Sequence, residues 1–229
     1  MNNLQNTTEP GYKLLNETIH HPVIIRFLAY LISYIFHPLF IPLYATYYLA
    51  FMHPGYFNGI SENNKIWVLL RVANNMVFFP AVLVLLLKGV GFIDSIFLKT
   101  QKERIIPYIA SGIFFFWMYL VFRNQSEVPS ILTAFIFSVF ISSSVALIAN
   151  IYFKISMHAM GVGGLLGLML VVFFTNTSSP VTLPLVITLL VTGLVCTSRL
   201  IVSNHTQKDI YLGLLYGILC QAVGAGFIL

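Results

Sequence analysis

The sequence predicts an all-α polytopic membrane protein, a bundle of six or seven transmembrane helices. Three observations predict it. Charged residues make up only 8% of the 229 positions, against about 25% in a soluble domain. Hydrophobic residues reach 58% and mean hydropathy is +0.88, which also excludes a disordered chain. Finally, the apolar residues form continuous runs rather than alternating ones, so β-barrel strands are not expected.

A spanning helix consumes about 20 apolar residues, and the runs account for most of the chain. One membrane-embedded unit over 1–229 is expected, with a chemistry-bearing core over about 88–229. No cleavable signal peptide is expected, because the first 22 residues are polar and the next run is too long for one. An integral membrane location follows, with the bacterial inner (plasma) membrane as the expected one. The two cysteines, Cys196 and Cys220, lie in apolar stretches and imply no disulfide.

The first run, Val23 to Met52, is too long for one straight span and contains His37-Pro38-Leu39-Phe40-Ile41-Pro42. Two prolines four apart kink a helix or split it. The second run, Lys65 to Leu87, carries Arg71, Asn74 and Asn75 on one arc, read as interhelical hydrogen-bonding residues. A polar loop, Lys88 to Arg104, follows. The remaining runs are Ile105–Phe122, Val128–Phe153, His158–Phe174, Val181–Thr197 and, after a polar stretch, Ile210–Leu229.

This order puts three polar clusters on one side of the membrane: Lys99–Arg104, Lys154–His158 and Ser198–Asp209. Two spans separate each from the next. The net charge is +5, and most of the basic residues sit in loops. That points to topology or an anionic lipid headgroup rather than nucleic acid. The positive-inside count favours a cytoplasmic face for these clusters. The same cations are the candidate ligands, however, so the count does not decide the side.

The third cluster holds Ser198-Arg199, then His205, then Asp209. Positions four apart share a helix face. A carboxylate there holds one imidazole nitrogen and leaves the other free as nucleophile or base. Arg199 supplies a permanent fork of donors for phosphate or carboxylate. The second cluster brings Lys154, Ser156 and His158 to the start of a span: a cation, a hydroxyl and a proton donor. Its glycines, Gly161, Gly163 and Gly164, read as close helix contacts. The first cluster offers Lys99, Lys102 and Arg104, which fit either phosphate oxygens or ordinary flanking charge. The histidines at 20, 21, 37 and 53 fit no zinc spacing.

Together these blocks resemble the type 2 phosphatidic acid phosphatase superfamily, membrane lipid phosphatases related to vanadium haloperoxidases. Its third motif (Ser-Arg, five residues, His, three residues, Asp) is matched in full by Ser198, Arg199, His205 and Asp209. Its second motif, Pro-Ser-Gly-His, is matched at Ser156 and His158, with Ile155 and Met157 in the other places. Its first motif, a Lys, six residues and Arg-Pro, is matched more loosely. Pro107 follows Arg104 by three, and either Lys99 or Lys102 stands for the lysine.

The resemblance implies a lipid phosphatase that needs no metal or other cofactor. It implies His205 as nucleophile, Asp209 as the group orienting it, and His158 as acid and then base. Arg104, Arg199, Ser156 and one of the two lysines would hold phosphate oxygens, with Ser198 and Lys154 beside them. The expected partners are a lipid phosphate substrate and membrane lipids. Candidate substrates are a polyprenyl diphosphate, phosphatidic acid or phosphatidylglycerophosphate. Two alternatives keep the same residues: a phosphotransferase with an acceptor other than water, and a non-catalytic lipid-binding or transport protein. No oligomeric state follows from the sequence.

Overall fold

The computed structural model describes residues 21–98, 100–175, 181–203 and 205–229. Among these residues, seven helical segments are long and apolar enough to cross a membrane, and no strand occurs. The chain is an all-α integral membrane bundle.

The first segment is broken. Helix α1 (Val23–Ile35) stops before His37, whose extended backbone (φ −63°, ψ 140°) is the conformation a following proline imposes. A single 3-10 turn, Pro38–Phe40, leads into α2 (Ile41–Tyr47), which widens into π turns over Tyr48–Met52. Of the two expected outcomes, a kink or a split, the helix is split. Helix α1 leans on α8 (Thr182–Val202) through its buried Ala29 and Ser33. Its other side is apolar and exposed, with Val23 at 82%, as expected of a surface in contact with lipid.

The second segment starts at Glu62 rather than Lys65, because Ser61 caps it: its Oγ accepts the Asn64 N–H at 3.3 Å. It runs as α3 (Glu62–Val72), a π stretch (Ala73–Phe78) and α4 (Phe79–Gly89). The wide stretch ends just before Pro80, whose missing N–H and bulky ring disfavour a regular turn there. Arg71 is exposed. Its Nη1 donates to Gln125 Oε1 at 2.7 Å, in the loop on the side opposite the three clusters. Asn75 Nδ2 donates to the Arg71 carbonyl at 2.9 Å.

The rest are regular: α5 (Gln101–Arg123), α6 (Ser130–Tyr152), α7 (Met157–Thr175), α8 and α9 (Gln207–Ile228). At about 1.5 Å per residue these helices match the ~30 Å hydrocarbon core. Helix α9 is wedged between α7 and α6, α5 lies on α6, and α8 on α7.

Lipid tails are as apolar as Leu, so spanning helices associate through close packing rather than hydrophobic burial. The α7–α9 contact does so at backbone distance. A Cβ on Gly217 would overlap the Met160 carbonyl and sit 2.8 Å from the Gly164 nitrogen. A Cβ on Gly213 would sit 2.7 Å from the Ser156 carbonyl. These glycines press the start of α9 against the start of α7, and so bring the third and second clusters together.

Two interhelical bonds fix which ends meet. Asn150 Nδ2, near the end of α6, donates to the Gln101 carbonyl at the start of α5 at 3.0 Å. The Ser156 N–H, just before α7, donates to the Asp209 carbonyl in the first turn of α9 at 3.2 Å. The starts of α5, α7 and α9 thus share one face with the end of α6, as the span parity predicts.

Candidate functional site

Helix α8 runs through Ser198 and Arg199 to Val202, so these two residues occupy its last turns rather than a loop. Only positions 203–206 separate it from α9. Helix α9 begins at Gln207 because Thr206 and Asp209 form a capping box: the Asp209 N–H donates to Thr206 Oγ1 at 3.2 Å, and the Thr206 N–H donates to Asp209 Oδ2 at 2.9 Å. His205 therefore precedes the helix instead of sharing a helical face with Asp209. The pair still meets, with Nδ1 3.5 Å from Oδ2 and side chains 10% and 16% exposed. That is ion-pair range, longer than a hydrogen bond of 2.7–3.2 Å. Nδ1 is buried and has no hydrogen-bond partner among the described residues. With Nδ1 turned to the carboxylate, Nε2 is the nitrogen left for chemistry.

Ser156 is fully buried. Its Oγ accepts the Ala159 N–H at 3.4 Å, so it caps α7 while its backbone holds α9. His158, one residue into α7, approaches the Ser33 carbonyl of α1 with its Nε2 at 3.2 Å. A carbonyl only accepts, so this contact places a proton on Nε2 and leaves Nδ1 as the second site. Ser198 is buried and donates its hydroxyl to the Leu194 carbonyl at 2.7 Å.

From Gln101 on, the first cluster lies in the first turn of α5. Helix α5 starts at Gln101, earlier than the sequence reading, because Thr100 and Glu103 form a second capping box. Glu103 also accepts the N–H groups of Asp94 at 2.8 Å and Ser95 at 3.1 Å. Arg104 Nε donates to the Leu98 carbonyl at 2.8 Å, clasping a turn in which Leu98 takes a left-handed backbone (φ 49°). Lys102 is exposed, and Lys99 lies outside the described residues. Lys102, Glu103 and Arg104 are thus in the first turn of α5, where Glu103 and Arg104 bind their own preceding loop.

The charges converge on His205. Burial lowers its pKa from 6.5 to about 4, aided by Lys154 and Arg199 and opposed by Asp209. At neutral pH His205 is therefore the neutral imidazole, with a free lone pair on one nitrogen. Arg199 also lies within electrostatic reach of His158 and His37, and His205 within reach of His158. Arg199 Nε is buried without a hydrogen-bond partner among the described residues. A cation held in this way has a strong demand for an anionic ligand.

The structure thus brings together His205, Asp209, His158, Arg199, Lys154 and Ser156. Two further residues complete the surroundings and were not read as site residues: Ser33, through its carbonyl, and His37, whose ring packs edge-to-face on His158 with centroids 5.2 Å apart. A backbone carbonyl has no sequence signature. For His37 the signal was present, a histidine at a Pro-induced break in a membrane segment.

Fold and geometry define a class: a polytopic integral membrane protein with a partly buried histidine–carboxylate–arginine cluster at one end of its bundle. Comparison with family models, with curated proteins and with solved structures returns no match for the chain.

Proposed function

We propose that the protein is an integral-membrane lipid phosphatase of the type 2 phosphatidic acid phosphatase kind, cleaving a phosphate or diphosphate monoester through a phosphohistidine. One observation carries the reading. Neutral His205 faces Asp209 in ion-pair range, with Arg199, Lys154 and His158 around it, at an end of a lipid-embedded bundle.

The chemistry follows from the residues. The His205 Nε2 lone pair forms the P–N bond as the P–O bond to the lipid breaks, and His158, entering the step as the imidazolium, gives the proton on its Nδ1 to the departing oxygen. Asp209 stabilises the positive charge that develops on the imidazole. Arg199 and Lys154 balance the charge on the phosphoryl oxygens. In phosphoryl transfer such positioning and charge stabilisation supply most of the acceleration. In the second half His158 removes a proton from water, whose oxygen attacks phosphorus. The P–N bond breaks and inorganic phosphate leaves. Acid–base help of this kind is worth about 10²–10⁴-fold.

The test is phosphate release from a panel of lipid phosphates in detergent, comparing wild type with His205→Ala. The expected result is release by the wild type from at least one lipid and none by the folded variant. Equal release by both overturns the nucleophile. No release by a folded wild type from any lipid overturns the function.

A further inference from the structure

His37 belongs to no motif, and its segment lies outside the span of the resemblance. Its place at the site is nevertheless built. Pro38 ends α1 and swings the chain, and Gly161 makes room for it: a Cβ there would meet the Pro38 Cα at 3.4 Å. The half-buried His37 ring is thereby set edge-to-face on His158.

Its tautomer is fixed as well. His37 Nδ1 accepts the Leu39 N–H at 3.4 Å, capping the 3-10 turn. A ring nitrogen that accepts carries no proton, so the neutral ring holds its proton on Nε2. His37 is thus a neutral donor fixed from behind. Beside it stand two more donors that no protein group satisfies among the described residues: Arg199 Nε and the hydroxyl of Ser33, a residue only 5% exposed. Unfilled donors, one of them on the Arg199 guanidinium, next to the His158 imidazole call for an oxygen-rich anion.

We propose that His37 is a further substrate-binding residue, its Nε2–H donating to a phosphoryl oxygen held against Arg199. The proposal rests on the phosphatase reading, and it makes the broken first segment part of the site rather than a membrane anchor.

Two substitutions separate binding from capping. His37→Asn keeps an acceptor for the Leu39 N–H and adds an amide donor. His37→Asp keeps the acceptor, has no donor and carries a negative charge. A purely structural role for the cap predicts that any weakening by the Asp carboxylate is charge repulsion alone and fades at high salt, whereas the loss of a donor persists there. Inorganic phosphate is the probe, titrated against detergent-solubilised protein at low and high salt and followed by phosphorus NMR line broadening. Thermal midpoints check that both variants are folded.

The expected result, at high salt as at low, is affinity within about threefold of wild type for His37→Asn and at least about tenfold weaker for His37→Asp, the scale of a lost charge-assisted hydrogen bond. Equal affinities for both variants and the wild type, or a weakening by His37→Asp that fades at high salt, overturn the role of His37 and leave the phosphatase reading intact. A folded wild type that neither binds phosphate nor releases it from lipids overturns both.

Discussion

His205 is where the local forces can be weighed against one another. Burial, Lys154 and Arg199 all disfavour the imidazolium, and Asp209 favours it; the sum lowers the pKa to about 4. The sign has consequences for pH. Between about 4 and 6.5 the folded protein keeps His205 neutral, while a free imidazole would be protonated. Its contribution to stability is fully present above pH 6.5 and is lost as pH falls through 4. The acid limb of kcat/KM is therefore expected near pH 4, measured on the best lipid substrate across pH 3–8. A limb near 6.5 would mean that His205 is solvated and remote from Arg199 and Lys154. The spacing of His205 and Asp209 was legible in the sequence, but the reason they meet was read differently. They do not share a helix face. Thr206 and Asp209 form a capping box that starts α9, and Thr-x-x-Asp ahead of an apolar run is a pattern a sequence can show.

At the scale of elements, the site depends on the α7–α9 contact. Ser156 links to Asp209 only because Gly213 and Gly217 let α9 approach the α7 backbone. Gly217→Val would drive a branched side chain into the Met160 carbonyl. Overpacking of this kind costs about 1–3 kcal/mol, and here it would also separate the second cluster from the third. A lower thermal midpoint in detergent is expected, with phosphate release falling more steeply than the folded fraction. Gly193→Val on α8 is the control, since a Cβ there meets nothing within 4 Å. If the two variants melt alike, the glycine contact does not hold the site together. Apolar runs and glycine spacing made the helices and their close approach visible beforehand. The precise ends were less so: Ser61, Thr100 and Thr206 each cap a helix. All three start a helix earlier than hydropathy alone indicates.

The whole molecule joins a lipid-facing exterior to a few charges kept at one end. The sorting of scarce charges into three clusters of equal parity made that end legible from the sequence. What the sequence could not show was how each cluster is used. Arg104 clasps the Leu98 carbonyl of its own loop, and Arg71 reaches Gln125 on the opposite side. Ser33, from the segment without any motif, meets His158 through a backbone carbonyl. Each of these depends on where the chain turns, which periodicity alone does not encode. The proposed phosphatase chemistry requires a covalent intermediate, which can be sought directly. His158→Ala should slow its hydrolysis more than its formation when the leaving group is a good one. Protein quenched in alkali during turnover of an activated lipid phosphate, then digested and analysed by mass spectrometry, should carry a single phosphoryl group on His205. Phosphorylation of another residue, or turnover with His205 unmodified in both wild type and His158→Ala, would contradict the account.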